Sequence, residues 1–243
     1  MTARRPDQAR RMQATVLGIS ALVVLLSGCA TVGADSTDDP DPRQGLNRKV
    51  QAFNDGADKV VLKPLARGYT YITPDPLEKG ISNFFANLRT PWTAVNQLLQ
   101  GKPRLAFADT GRFLLNSAAG VGGLFDVATD VGLEAHQEDF GQTLAVWGVP
   151  DGGYSVVPFV GPTTLRDGVG GILDTFLYPV RLVEDDSVRN ALVASDIVQT
   201  RAKFLSAEQL LRGDRYLFMR DASLQRREFV INDGEVEEDP FLD

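Results

Sequence analysis

From residue 43 onward, apolar side chains recur at spacings of three and four, and prolines and glycines punctuate them. Leu46, Val50, Phe53, Ala57, Val60 and Val61 share one stripe, with Arg48, Lys49, Asp55, Asp58 and Lys59 on the other faces. This predicts a helix from about Arg43 to Lys63, ended by Pro64. Tyr69–Pro76 carries two X-Pro restrictions and is expected to be extended or turned. Ile81, Phe84, Phe85 and Leu88 predict a helix starting at Leu77. Thr90-Pro91 should break it, with Thr90 capping a second short helix through Trp92, Val95, Leu98 and Leu99, closed by Gly101. Pro103 to Asn116 predicts another, and Gly120–Gly123 opens a further short one through Leu124, Phe125 and Val127.

Asp139–Val149 places Phe140, Leu144 and Trp147 on one side of a helix, and then the pattern changes. Pro150-Asp151-Gly152-Gly153 is a turn signal, Tyr154–Val160 is rich in β-formers, and Gly161-Pro162 closes the segment. A hairpin-like loop is expected here, not a full sheet. Thr164 should cap a helix bearing Leu165, Val169, Ile172 and Phe176, ending before Pro179. Two more helices are expected, from about Asp186 to Leu211 and from Asp214 to about Asn232, with Gly234 after the second. The fold class is therefore mainly α, a single domain over residues 43–232 built of short amphipathic helices with one hairpin-like loop. Residues 233–243 form an acidic tail.

The N-terminus has a different organisation. Arg4, Arg5, Arg10 and Arg11 precede an uncharged run from Thr15 to Leu26, followed by Leu26-Ser27-Gly28-Cys29. Basic, apolar and small residues in that order form a signal peptide, and the run is too short for the ~20 residues that span a bilayer. Cys29 is the single cysteine, so no internal disulfide can form. The Leu-Ser-Gly-Cys sequence resembles a bacterial lipoprotein signal, which implies removal of residues 1–28 and acylation of Cys29. Each buried methylene contributes roughly 0.8 kcal/mol and firm anchoring takes two chains or more. Ala30, where a retention signal would have Asp, implies the outer membrane. Residues 29–42, small, acidic and rich in proline, read as a disordered tether.

Removing residues 1–28 takes away four arginines and one aspartate, leaving 21 basic against 31 acidic side chains and a net charge of −10. That balance excludes a phosphate-neutralising nucleic-acid surface. Enzyme chemistry is unsupported. His136 is the only histidine, which rules out histidine-rich metal sites. Beside Glu134, Glu138 and Asp139 it reads as part of a solvated loop and at most a weak metal ligand. Gly120–Gly123 and Gly168–Gly171 lack the spacing and lysine of phosphate loops. Asp126, Asp167 and Asp174 have no fixed mutual spacing, and Asp174 is expected on the polar face of its helix. A phospholipase would need a nucleophile with a base. No cofactor is implied. Aromatics recurring on the apolar faces, with Phe84, Phe85 and Trp92 as candidates, suit either a helical core or a membrane interface.

Several runs carry a family resemblance. GLNR at 45–48, GISNFFANLRTPWTAVNQLLQGK at 80–102, GRFLLNSAAGVGGLFDVA at 111–128, FGQTLAVWGVPDGGYSVVPFVGPTTLRDGVG at 140–170 and DRYLFMRDASLQRREF at 214–229 resemble the VacJ/MlaA family of outer-membrane phospholipid-transport lipoproteins. The resemblance implies a ring-like arrangement of helices in the periplasmic leaflet of the outer membrane, around an amphipathic channel for mislocalised phospholipids. It implies hand-over to a soluble MlaC-like carrier and association with a trimeric porin. It places Leu46, Asn47 and Arg48 at a position that controls the channel. It also makes Pro150–Pro162 the hairpin that shapes or gates it, with Trp147, Tyr154, Val156, Val157, Pro158 and Phe159 as candidate residues. The alternative is a structural lipoprotein that scaffolds porins or the envelope without moving lipid.

Overall fold

The computed structural model describes residues 41–210 and 213–235. Cys29, the signal peptide and most of the tether and acidic tail lie outside the described residues. Asp41, expected at the end of the tether, is instead buried within the fold.

Helix α1 (Gln44–Ala57) does not stop at Pro64. It runs through a wide π turn (Asp58–Leu62) into α2 (Lys63–Ile72). Lys63 N–H bonds back five residues to the Asp58 carbonyl, and this wider turn just before the ring absorbs the clash that proline brings to an α-helix. Consequently Tyr69–Ile72 is helical, and the extended connection shrinks to Thr73 and Pro74.

Helix α3 (Asp75–Leu99) likewise continues through Pro91. Thr90 is no N-cap, and its hydroxyl donates to the Ala86 carbonyl at 3.1 Å. Phe85 and Asn87 before the proline, and Thr93, Ala94, Asn96 and Gln97 after it, are all buried. Breaking the helix would uncover both halves, so packing overrides the local signal. The most extensive helix pairing is with α4 (Pro103–Ala118), whose predicted start at Pro103 is correct.

Gly120–Gly123 forms a tight turn, not a helix, with Val121, Gly122 and Gly123 at positive φ. A Cβ on Gly123 would sit 2.6 Å from the Asn87 side chain, so glycine is required by close approach. Asp126 then caps the short α5 (Val127–Asp130). Asp139 opens α6 (Phe140–Val146) with a full capping box to Gln142.

The hairpin expected after Pro150 is present. Strands β1 (Tyr154–Val157) and β2 (Gly161–Thr164) pair antiparallel, with Tyr154 opposite Thr164 and Val157 opposite Gly161. Thr164 caps α7 (Leu165–Leu177) as predicted, accepting from Asp167 N–H. A 3₁₀ turn (Pro179–Leu182) leads to α8 (Asp186–Lys203), which ends short of the predicted Leu211. A second 3₁₀ turn (Ala207–Leu210) follows, and Glu208 there reaches Lys63 and Arg201. Helix α9 (Arg215–Ile231) starts behind Asp214, whose carboxylate accepts from Tyr216 and Leu217 N–H.

Candidate functional site

Two features carry functional content: helix α1 seated along the hairpin, and an inversion of polarity across α3 and α4.

Strand β1 uses one edge for β2 and turns its other edge to α1. Asn47, only 2% exposed, donates to the Tyr154 carbonyl at 3.3 Å and accepts Val156 N–H at 3.0 Å. Asn54 repeats the arrangement further along, donating to the Val157 carbonyl at 3.0 Å and accepting Phe159 N–H at 2.8 Å. Each side-chain amide thus serves the carbonyl of one strand residue and the N–H two residues on, as a neighbouring strand would. The spacing follows from geometry. Seven helical residues rise about 10.5 Å, and three strand residues rise about 10 Å.

The remaining predicted residues of α1 are distributed around this contact. Asn47 also donates to Asp41 at 2.8 Å, and Asp41 in turn accepts from the Tyr216 hydroxyl. Arg48 pairs with Asp214 at 2.9 Å, and its guanidinium lies 4.4 Å from the Tyr216 ring centroid. Leu46 is exposed. Tyr154 and Val156 are buried against Tyr216, and burial pushes the Tyr154 phenol up to about 12. Val157, Pro158 and Phe159 are exposed at the turn, where Phe159 meets Phe53 edge to face at 5.2 Å. Trp147 is exposed as well, and its indole N–H donates to the Leu99 carbonyl.

Polarity is inverted in the α3–α4 pair. Among the described residues, buried polar and charged side chains outnumber buried apolar ones. Asn96 and Gln97 on α3 are fully buried, as are Asp109, Arg112 and Asn116 on α4 to within a few per cent. Arg112 Nη2 donates to both Asp126 carboxylate oxygens, at 2.9 and 3.1 Å, while Nη1 donates to the Thr129 hydroxyl and the Leu133 carbonyl. Asn116 donates to Asp126 and accepts Ala128 N–H. Burial pushes the Asp126 carboxyl up, but hydrogen bonds from Thr129 and Asn116 and the charge of Arg112 hold it below the usual range. Asp109 accepts from Gln97 at 2.6 Å. Thr143 on α6 donates to Asn96 at 2.7 Å.

Large apolar side chains of the same helices face outward: Val95, Leu98 and Leu99 on α3, and Phe107 (76% exposed) and Leu114 on α4. Exposed apolar residues elsewhere include Val60, Val61, Leu65, Tyr71 and Ile72 on the α1–α2 stretch and Val169, Ile172 and Phe176 on α7. A surface this apolar does not belong in water. Among the described residues, no helix is long and apolar enough to cross a membrane.

Not every interface candidate lies on that surface. Phe85 is 2% exposed and packs edge to face on the half-buried Phe84, so Phe85 belongs to the interior. Trp92 is half-buried and donates to Asp174 at 2.6 Å. Asp174, expected on a polar outer face, also accepts Phe140 N–H, and burial raises its carboxyl above the usual value. His136 is not simply solvated, because its Nδ1 lies 3.0 Å from buried Asp109. No group of three potential metal-ligating side chains occurs among the described residues.

Asn54, Asp109, Arg112, Asn116 and Gln97 were absent from the sequence candidates. For Asp109, Arg112 and Asn116 the signal was a polar stripe, recurring at spacings of three and four along one helix.

A helical protein with a paired hairpin, whose α3–α4 pair exposes large apolar side chains over a polar interior, is the class this geometry defines. Residues 39–230 match the family model described as MlaA lipoprotein. The chain belongs to the MlaA lipoprotein family. It is 36% identical over 232 residues to the intermembrane phospholipid transport system lipoprotein MlaA of Escherichia coli (strain K12), covering 93% of this chain and 90% of that protein. It is 32% identical over 231 residues to the Haemophilus influenzae protein of the same description, covering 89% and 92%. A solved structure from work on the structural basis for maintenance of bacterial outer membrane lipid asymmetry superposes with a TM-score of 0.68 at 34% identity, covering 79% of this chain and 99% of the other.

Proposed function

We propose that this chain is an outer-membrane lipoprotein that takes mislocalised phospholipids from the outer leaflet through an amphipathic path and releases them to an MlaC-like periplasmic carrier, maintaining lipid asymmetry. The observation that carries this reading is the polarity inversion of α3 and α4. Apolar outer faces suit acyl chains, while a hydrogen-bonded polar interior can tolerate a passing head group whose charge would be costly in hydrocarbon. The names of the E. coli and H. influenzae relatives, intermembrane phospholipid transport system lipoproteins, support the same cargo.

In this reading the protein transports lipid without altering it chemically, and acyl chains on Cys29 hold it at the periplasmic face beside a trimeric porin. Leu46, Asn47 and Arg48 control the path, and Trp147, Tyr154, Val156, Val157, Pro158 and Phe159 form its hairpin side. Phe84 and Trp92 approach the membrane interface. No local energy source is needed, because a carrier that binds lipid draws the flow by mass action.

The test is outer-leaflet phospholipid in cells lacking the protein, read with an outer-membrane acyltransferase or phospholipase. We expect a rise that the wild-type chain reverses and a Cys29→Ala chain does not. No rise, with the protein shown to be expressed in the parent, would leave a porin or envelope scaffold as the better account.

A further inference from the structure

Two of the exposed apolar faces differ in the charge they carry. On α7, Leu165, Val169, Ile172 and Phe176 are exposed, and the one cation of that helix, Arg166, is paired with Asp167 at 2.9 Å. From the π turn through α2 the arrangement is different. Val61, Leu65, Tyr71 and Ile72 are all more than half exposed. Lys59, Lys63 and Arg67 recur every four residues, a row along the same stretch that continues to Tyr71. Lys63 is paired with Glu208 at 2.6 Å, and the one carboxylate of the stretch, Asp58, accepts two bonds from Arg201. Lys59 and Arg67 are exposed, and among the described residues no carboxylate pairs with either. Asp75 and Glu78, the next carboxylates along the chain, lie in the first turn of α3, beyond Thr73 and Pro74. Internal pairing thus cancels Asp58 and Lys63, and leaves two positive charges beside an exposed apolar stripe on a chain that is otherwise acidic.

From this contrast we infer that the outer face of residues 58–72 is a docking surface for anionic phospholipid head groups in a bilayer. Val61, Leu65 and Ile72 enter the acyl boundary, and Lys59 and Arg67 extend along their methylene stems to the phosphates. A head group without an ammonium of its own is favoured. A zwitterion already balances its phosphate and gains less from an added cation, whereas an anionic lipid attracts each nearby Lys or Arg. The acidic chain as a whole is repelled by such a surface, so only a face whose carboxylates are internally paired can approach it. The pair with Arg201 is what removes Asp58 from that balance. The outer face of α7, with no cation to spare, has no head-group preference. This surface rests on the membrane contact in the phospholipid reading, but it requires no lipid to be moved.

The experiment uses the full chain with Cys29 acylated and Ile72→Cys as the single free thiol, labelled with a fluorophore. It is reconstituted in vesicles of equal parts phosphatidylglycerol and phosphatidylcholine, with bromine on the acyl chains of one lipid or the other. Surface charge is then the same in both, and quenching reports which lipid lies against the helix. Brominated phosphatidylglycerol is expected to quench roughly twofold more than brominated phosphatidylcholine. The difference should vanish at about 1 M salt, where the screening length falls to about 3 Å. Adding Lys59→Ala with Arg67→Ala should equalise the two lipids, while quenching with both lipids brominated stays as in the parent. Arg226→Ala, exposed on α9, should leave the difference in place, and a label at Val169→Cys on α7 should show none. Equal quenching at position 72 would overturn the head-group preference. A difference that survives the double substitution would overturn the role of Lys59 and Arg67. No quenching by either lipid would mean that protein or water covers this face, and the docking surface would fall. Deleting the protein from cells without altering outer-leaflet phospholipid would remove the transport reading and leave this quenching pattern as it is.

Discussion

The hairpin–α9 junction and the α3–α4 pair are built on opposite rules. At the junction, Tyr154, Val156 and Tyr216 are buried together with Val50, Leu217 and Leu224 against them, and the Tyr154 and Tyr216 rings meet edge to face at 6.2 Å. This is the arrangement the hydrophobic effect produces in water. In α3–α4 Asn96, Gln97, Asp109, Arg112 and Asn116 are buried alongside Phe85, Ala94 and Ala106, while Phe107 and Leu114 are exposed. The apolar stripes of both regions look alike in periodicity, yet one faces in and the other faces out. The hydrophobic effect cannot hold α3 to α4 through exposed leucines. Between them Gln97 donates to Asp109 and Asn87 to the Ser117 hydroxyl, hydrogen bonds that are strengthened where water is excluded.

Several measurements can break or sharpen that contrast. The largest effect is expected for Arg112→Ala, which removes the buried guanidinium that pairs with half-buried Asp126 and lies 3.9 Å from buried Asp109, and should cost about 3–5 kcal/mol in unfolding of the detergent-solubilised protein. Tyr154→Ala in the conventional cluster should cost about 3 kcal/mol by loss of packing. A milder effect for Arg112→Ala than for exposed Phe107→Ala would refute the inverted interior. Phe107→Ala itself should change unfolding in detergent by no more than about 0.5 kcal/mol. It should nevertheless weaken partitioning into vesicles by about 1.5–3 kcal/mol, measured by flotation of the non-acylated protein.

A subtler contrast lies in two carboxylates of α7. Burial pushes Asp167 up, but hydrogen bonds from Arg166 and Thr164 and the charge of Arg227 outweigh it and hold the group below its usual value. Its contribution is therefore present above the ordinary carboxylate value near pH 4 and lost as pH falls through the lower folded value. Asp174 is raised by burial despite hydrogen bonds from Trp92 and Phe140, so its contribution is present below about pH 4 and lost as pH rises through the higher folded value. Thermal midpoints across the acid range should show Asp167→Asn flattening the acid-side loss and Asp174→Asn removing the loss on raising the pH. Parallel profiles for the two variants would contradict this assignment. The smallest effect is expected for Arg48→Ala, whose pair with Asp214 is open to solvent, and its midpoint should stay close to wild type.

How far the sequence could be read depends on whether a signal is local. The α4 start at Pro103, the Thr164 cap, the Pro150–Gly153 turn and the hairpin were all legible, because each rests on residues adjacent in the chain. Pro64 and Pro91 misled for a shared reason: the helix on either side is held by packing or by a π turn, and neither is visible in a local window. Gly123 read as part of a helix opening because its real constraint is the distant Asn87 side chain. The direction of the apolar stripes was not legible at all, since periodicity gives a face and not the medium that the face meets. Asn54 was hidden for a related reason, because its strand partners lie over a hundred positions away.

The most direct test of the central claim asks what touches the outward faces of α3 and α4. With Cys29 acylated, Phe107→Cys provides a single free thiol for a fluorophore, and Glu184→Cys provides a second, on an exposed polar stretch. In proteoliposomes, the label at position 107 should be quenched by phospholipids brominated on their acyl chains and shielded from aqueous iodide, with the opposite result at position 184. Equal iodide quenching at both positions, with none from the brominated lipid at 107, would mean that these faces meet water or protein and would contradict the account.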